Sequence, residues 1–231
     1  TLKASKAREA VVRAALTPIA LGFYRAKAIG TENVPAEGPV LLAPNHFSNM
    51  DHFFAGVYLR RQIRFMAKSQ LFGPPVLTSI FTHGGVFPVR RGHRDDEAFT
   101  TVYRIFENGG AVLVYAEGGR SRSGGLGDPK PGIGRIALES GVPVVPVAIH
   151  GSSGVRNIKK LRFPKVTIQF GQPMSFPAIA DATKEQQMEV SNAVFDQVKL
   201  MYTGIDELGV KGVRQKLKDA LPAPEPDASR L

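Results

Sequence analysis

The chain has 231 residues, 43% hydrophobic and 22% charged, the balance of a folded domain with a full core and not of a disordered chain. It contains no cysteine, which excludes a disulfide framework and a thiolate nucleophile and fits a reducing compartment. The formal charge of +10 asks for a polyanionic partner, and on charge alone nucleic acid, an anionic bilayer or a phosphorylated substrate would serve.

Residues 5–24 read as an amphipathic helix. Ala7, Ala10, Val11, Ala14, Ala15, Ile19 and Phe23 recur at helical spacing, with Lys3, Lys6, Arg8 and Arg13 on or near the polar side. Two placements satisfy that pattern: packing on its own domain, or lying in a bilayer interface with the cations among anionic headgroups. The uncharged run between Arg13 and Arg25 is broken by Pro18 and is too short to span a bilayer, which takes ~20 apolar residues.

After Gly30 strand and helix patterns alternate. Strands are predicted at Val40–Ala43, Ile63–Ala67, Val86–Val89, Ala111–Tyr115, Val144–Ile149 and Val166–Phe170, and helices at 50–61, 74–82, 94–107, 131–140 and 184–203. The strands at 40–43, 111–115 and 144–149 are almost wholly apolar, as strands covered by helices on both faces are. Val166–Phe170 alternates more and suits an edge or antiparallel strand. Pro143 and Pro146 in a β-branched run predict an edge or a bulge there. The fold class expected is α/β, a mostly parallel mixed sheet flanked by helices, with the amphipathic helix at the N-terminus. The division expected is 1–30 for that membrane-associated helix, 31–215 for the α/β domain and 216–231 for a tail rich in proline. The uncharged stretch 69–89 carries Gly73, Pro74, Pro75, Gly84 and Gly85, so it cannot be one spanning helix.

Four segments carry candidate chemistry. The first is Asn45-His46-Phe47-Ser48-Asn49-Met50-Asp51, directly after an apolar strand. A separation of five is not the spacing of one helical face, so His46 and Asp51 meet only across a turn. Such a pair is a histidine base with one ring nitrogen held by a carboxylate. His52 next to Asp51 also admits a metal site, but no second cluster of ligands stands out. The second segment, Gly85 to Gly92, runs a short strand into Arg90 and Arg91, whose guanidinium forks suit phosphate. The third, Val112 to Ser121, brings a buried strand into Glu117-Gly118-Gly119-Arg120. The glycines let the backbone approach a ligand, and Glu117 is placed to accept from Arg120 or Arg91. Lys130-Pro131-Gly132 then opens a helix as a further anion-binding turn that does not match a P-loop. The fourth segment is Val142 to Val147. His83 and His150 read as structural histidines, His93 as exposed, and Lys159 to Phe163 as a basic loop.

In order and spacing these segments resemble the four blocks of the glycerolipid acyltransferases, the 1-acylglycerol-3-phosphate acyltransferases, over residues 30–175. The first block is NHxxxxD, here His46 and Asp51. The second matches at Gly85, Phe87 and Arg91, the third at Tyr115 to Ser121, and the fourth at Val142, Pro143 and Pro146. Gly119 stands where the family usually has Thr, Ala116 where it has Pro, and Arg90 where an acidic residue is common.

The resemblance implies transfer of a fatty acyl chain from acyl-CoA, or acyl carrier protein, to the free hydroxyl of lysophosphatidic acid in phospholipid biosynthesis. His46 would be the base and Asp51 would set its tautomer. Arg91, Glu117, Gly118 and Arg120 would hold the acceptor phosphate, with Asn45, Lys68, Gly119 and Ser121 secondary. It implies no metal or redox cofactor, lysophosphatidic acid, acyl-CoA and an anionic membrane surface as partners, and a peripheral or monotopic place on the cytoplasmic face of the cell membrane. Another lysophospholipid or a glycolipid as acceptor, hydrolysis by the same base, and a non-catalytic basic binding protein are the alternatives. Nucleic acid is not expected, because no RNP-like strand, zinc finger or helix-turn-helix pattern is present.

Overall fold

The structure, a computed structural model, describes residues 14, 17–68, 85–89, 96–121, 124–155 and 163–220. Its centre is one seven-stranded sheet in the order β1-β7-β6-β2-β5-β3-β4. The strands are β1 (Lys27–Ile29), β2 (Val40–Pro44), β3 (Ile63–Lys68), β4 (Val86–Val89), β5 (Ala111–Leu113), β6 (Val144–His150) and β7 (Thr167–Phe170). Every pairing is parallel except β6 with β7. The helices are α1 (Asp51–Val57), α2 (Asp96–Glu107), α3 (Gly132–Ser140) and α4 (Lys184–Asp219), the last kinked at Gly209, where φ is +62°.

The alternation of side chains along the central strands explains the layers. Leu41 and Ala43 of β2 pack with Val112, Val144 and the apolar faces of α2, α3 and α4. Val40 and Leu42 point the other way, into a second core with Phe54 and Ala55 of α1, Leu113, Val145, Val147 and Tyr24. Both faces of the sheet are thus covered, which is why these strands read as continuous apolar runs. Helices α3 and α4 come together at Gly134, where an added Cβ would lie 1.8 Å from Gln187 O. The N–H of Gly134 donates to Ser191 Oγ of α4 (2.9 Å).

Several expectations change in detail. Strand β6 lies inside the sheet between β2 and β7, not at an edge. Its Pro146 is tolerated because the ladder to β7 ends at Val147 and Phe170, so the missing N–H falls where β7 has stopped, while Pro146 O accepts from Gly171 N–H (2.8 Å). Strand β1 was not anticipated: three residues are too few for a periodic signal, and it is held by pairing with β7. Helix α1 ends at Val57 instead of 61, and Arg61 turns back to cap the carbonyls of Pro35, Gly38 and Gly109. Helix α4 runs past 203 to Asp219.

Most of the helix expected over 5–24 lies outside the described residues. Residues Ile19–Phe23 form a π-helical turn in which Ala20 is buried and Ile19, Leu21 and Phe23 are exposed. The helix expected at 74–82 also lies outside the described residues, as do His83 and His93. Among the described residues no helix is long and apolar enough to cross a membrane.

Candidate active site

Chain direction puts the site at the carboxyl ends of β2 and β5. From β2 the chain crosses toward β3 and β4, returns as β5 beside β2, and then leaves to β6 on the other side. A crevice opens outside the strand ends where the winding reverses in this way. Strands β2 and β5 stay in register beyond their last ladder residues: Val114 N–H donates to Leu42 O (3.0 Å) and Ala116 N–H to Pro44 O (3.1 Å). The segments that follow, His46 to Asp51 and Tyr115 to Ser121, are therefore neighbours.

The turn after β2 wraps around one carboxylate oxygen. Oδ2 of Asp51, fully buried in the first turn of α1, accepts from Phe47 N–H (2.7 Å), Ser48 N–H (2.8 Å) and His46 Nδ1–H (2.9 Å). The two backbone bonds explain the five-residue spacing: the carboxylate caps the turn that brings the histidine back over it. With Nδ1–H donated to Asp51, the lone pair of His46 lies on Nε2, and the ring keeps 14% exposure from which to meet a substrate. The ring of Tyr115 stacks on the imidazole at 3.6 Å with 14° between planes, fixing it from the β5 side. Burial pushes the Tyr115 hydroxyl far above the usual phenol range, so it stays neutral.

Asn45 is buried, and its amide behaves like one more strand residue. Nδ2–H donates to Ile149 O (3.0 Å) and Oδ1 accepts from Ile149 N–H (2.7 Å), tying the base of the turn to β6. Phe47 is also buried, with its ring against Tyr202 of α4.

Of the two partners expected for Glu117, Arg91 lies outside the described residues and Arg120 makes no ion pair with it; its contacts are to backbone. Glu117 is nearly buried, and its oxygens accept from His46 N–H (2.9 Å) and Gly127 N–H (2.9 Å). It bolts the turn after β5 to the turn after β2, a link reinforced by Ser121 N–H to His46 O (2.9 Å). Burial raises its pKa above the usual carboxylate value, against the lowering effect of the two backbone donors. The approach is close at Gly127, where an added Cβ would sit 2.7 Å from Glu117 Oε2 and the carboxylate would have to shift.

Gly118, Gly119, Arg120 and Ser121 line an open cavity of about 280 Å³ together with Glu117, Gly127, Asp128 and Lys130. Gly118 has φ of +64°, a backbone conformation that favours glycine, and lies under the Lys130 side chain. Arg120 is exposed on this cavity and makes no ion pair among the described residues. Lys68 is the last residue of β3, opposite Val89 of β4. Arg91 and Arg90 lie outside the described residues. Sequence reasoning gave no role to Tyr115 or Gly127. The aromatic ring beside the Glu-Gly-Gly turn was visible, but nothing in the string says which ring it would cover.

His52 does not join His46. Its ring tilts against Phe53 and Phe65, its Nε2 is buried without a hydrogen-bond partner, and burial holds its pKa down to about 4. Among the described residues no three His, Asp or Glu side chains gather as a metal site. His150 pairs with Asp206 of α4 (3.2 Å) beside Tyr202.

A buried carboxylate, a histidine pinned by it and a cation-lined cavity share one crevice. The chain belongs to the acyltransferase family, whose model, described as Acyltransferase, matches residues 25–150. It is similar to the 1-acyl-sn-glycerol-3-phosphate acyltransferase of Bacillus subtilis, at 28% identity over 185 residues, covering 79% of this chain and 90% of that protein. It is also 30% identical over 136 residues to a chloroplastic 1-acyl-sn-glycerol-3-phosphate acyltransferase of Brassica napus, covering 58% of this chain and 39% of that one. The chain thus spans well under half the length of this plant relative. The crystal structure of the 1-acyl-sn-glycerophosphate (LPA) acyltransferase PlsC from Thermotoga maritima superposes with a TM-score of 0.68 at 25% identity, covering 89% of this chain and 82% of that one.

Proposed function

We propose that the chain is a 1-acylglycerol-3-phosphate O-acyltransferase, moving a fatty acyl group from acyl-CoA or acyl carrier protein to the free hydroxyl of lysophosphatidic acid. The observation that carries the reading is the His46–Asp51 pair, 2.9 Å apart, beside a cavity lined by Arg120. The relatives' names agree with it.

In the proposed step the acceptor hydroxyl gives its proton to His46 Nε2 as its oxygen attacks the thioester carbonyl carbon. The Asp51 carboxylate, on Nδ1–H, stabilises the imidazolium that forms. The tetrahedral intermediate collapses with loss of the C–S bond, and the departing sulfur takes the proton back from His46. A positioned base of this kind contributes ~10²–10⁴-fold in rate. Proton transfer and thioester exchange need no metal or redox group. The chain holds no cysteine and no G-x-S-x-G elbow for an acyl-enzyme, so direct attack is the simpler course. Arg120 would hold the acceptor phosphate with Arg91 and the Gly118-Gly119 backbone. Glu117, Asn45 and Ser121 would act by positioning, through the backbone bonds described above.

The net charge of +10 and the exposed Ile19, Leu21 and Phe23 support a peripheral place on an anionic membrane, on its cytoplasmic face in this reading. The test is thiol release from palmitoyl-CoA with and without lysophosphatidic acid, read with a thiol reagent against a protein that has no thiols. Release that depends on lysophosphatidic acid is expected. Release independent of any acceptor would make the chain a hydrolase, and none would leave a binding protein. Gly119 lacks the hydroxyl that the family's usual Thr would supply, so a faster reaction with another lysophospholipid or a glycolipid would move the assignment to that acceptor.

A further inference from the structure

The cavity beside the dyad carries a second cation besides Arg120, the Lys130 ammonium. The chain from 124 to 131 folds back over the turn after β5, with Gly127 N–H on Glu117 and Lys130 N–H on Ala116 O (2.8 Å). These bonds seat the Lys130 stem over Gly118, where an added Cβ would come within 3.2 Å of Lys130 Cγ. Lys130 and Arg120 line the same cavity, both are exposed, and neither makes an ion pair among the described residues. Of the two acids there, Glu117 is nearly buried with its oxygens on two backbone N–H groups, while Asp128 is exposed and solvent-screened. The cavity adjoins the base, since Glu117 and Ser121 bond the N–H and C=O of His46.

We propose that Lys130 is a specificity-determining residue of the acceptor site, a further cation that, beside Arg120 and Arg91, selects a phosphomonoester headgroup over a phosphodiester. This rests on the acyltransferase reading of the same site. A phosphomonoester carries a charge of about −1.5 to −2 near neutral pH, its second proton leaving with a pKa of ~6, whereas a phosphodiester carries one charge. The arginine forks satisfy the anionic edges that monoester and diester share, and the ammonium of Lys130, a compact point charge, strengthens the hold on the second charge that only the monoester has.

The test is calorimetric titration of the full chain, at pH 5 and pH 8, with two soluble ligands: 1-hexanoyl-lysophosphatidic acid and 1-hexanoyl-lysophosphatidylglycerol. Wild type, Lys130→Met, which keeps the stem over Gly118 and removes the charge, Lys130→Arg and Asp128→Asn are compared. His46, Glu117, Asp128 and Arg120 are common to the wild type and the Met variant, so the difference between those two isolates the lysine. Wild type is expected to bind the monoester about tenfold more tightly at pH 8 than at pH 5, and Lys130→Met to lose most of that gain. Binding of the diester should change less than twofold, Lys130→Arg should restore the gain, and Asp128→Asn should tighten the monoester.

The proposal is overturned if Lys130→Met keeps the wild-type affinity and its pH gain, if both ligands weaken equally, or if wild type shows no preference for the monoester, including no binding of either. Binding as expected without acyl transfer would reject the acyltransferase reading and keep the headgroup assignment. Transfer that favours the diester would do the reverse.

Discussion

One oxygen of Asp51 holds three N–H groups, and that concentration makes the dyad a property of the turn as much as of the two side chains. Asp51→Asn should keep the fold, because an amide oxygen still accepts from Phe47 and Ser48, while the imidazolium loses its counter-charge. The expected outcome is a fall in kcat of ~10²–10⁴-fold with little change in acceptor KM, measured by steady-state kinetics. His52, one residue on, acts on stability through its half-buried ring and buried Nε2. Its pKa is held to about 4 against an ordinary 6.5, so as pH falls from 6.5 toward 4 the unfolded chain takes a proton that the folded chain refuses. Stability is therefore full above 6.5 and is lost toward 4, by at most ~3 kcal/mol from this group. His52→Gln should flatten that part of the pH–stability curve; an unchanged slope in thermal melts would remove His52 as its source.

At the scale of elements, α3 and α4 make a tightly constrained contact away from the crevice. Gly134→Ala would place a methyl 1.8 Å from Gln187 O, and the helices must part to admit it. The expected cost is ~1–3 kcal/mol, seen as a lower denaturant midpoint at unchanged slope. The same scale shows what the amino-acid string could and could not reveal. Strands β2, β5 and β6 were legible because burial on both faces leaves a run of Val, Leu and Ala with no polar interruption. Strand β1 was not, since Lys27-Ala28-Ile29 gains its structure from β7, far along the chain. Pro146 misled because a proline argues against an interior strand, and only the early end of β7 excuses it. The block residues His46, Asp51 and Arg120 were legible as types at a spacing. The stacking of Tyr115 on His46 and the bolt from Glu117 to Gly127 were not, because both depend on which strand ends become neighbours.

Across the whole molecule, the sheet's winding brings His46, Asp51 and the Arg120 turn to one crevice. With +10 overall and Ile19, Leu21 and Phe23 exposed on the turn before β1, the chain should float with vesicles containing phosphatidylglycerol and not with neutral ones. Raising salt from 0.05 to 0.5 M should weaken that binding, and replacing the three apolar residues by Asp should reduce it further; co-flotation indifferent to both changes would count against a membrane-facing role. The most direct measurement of the central claim is palmitoyl-CoA thiol release by the full chain with lysophosphatidic acid present, comparing wild type with His46→Ala at equal folded concentration. Acceptor-dependent release in the wild type and loss of ~10²-fold or more in the variant, with an unchanged circular dichroism spectrum, is the predicted result. Undiminished acceptor-dependent turnover in His46→Ala would contradict the account, since the crevice would then work without its base.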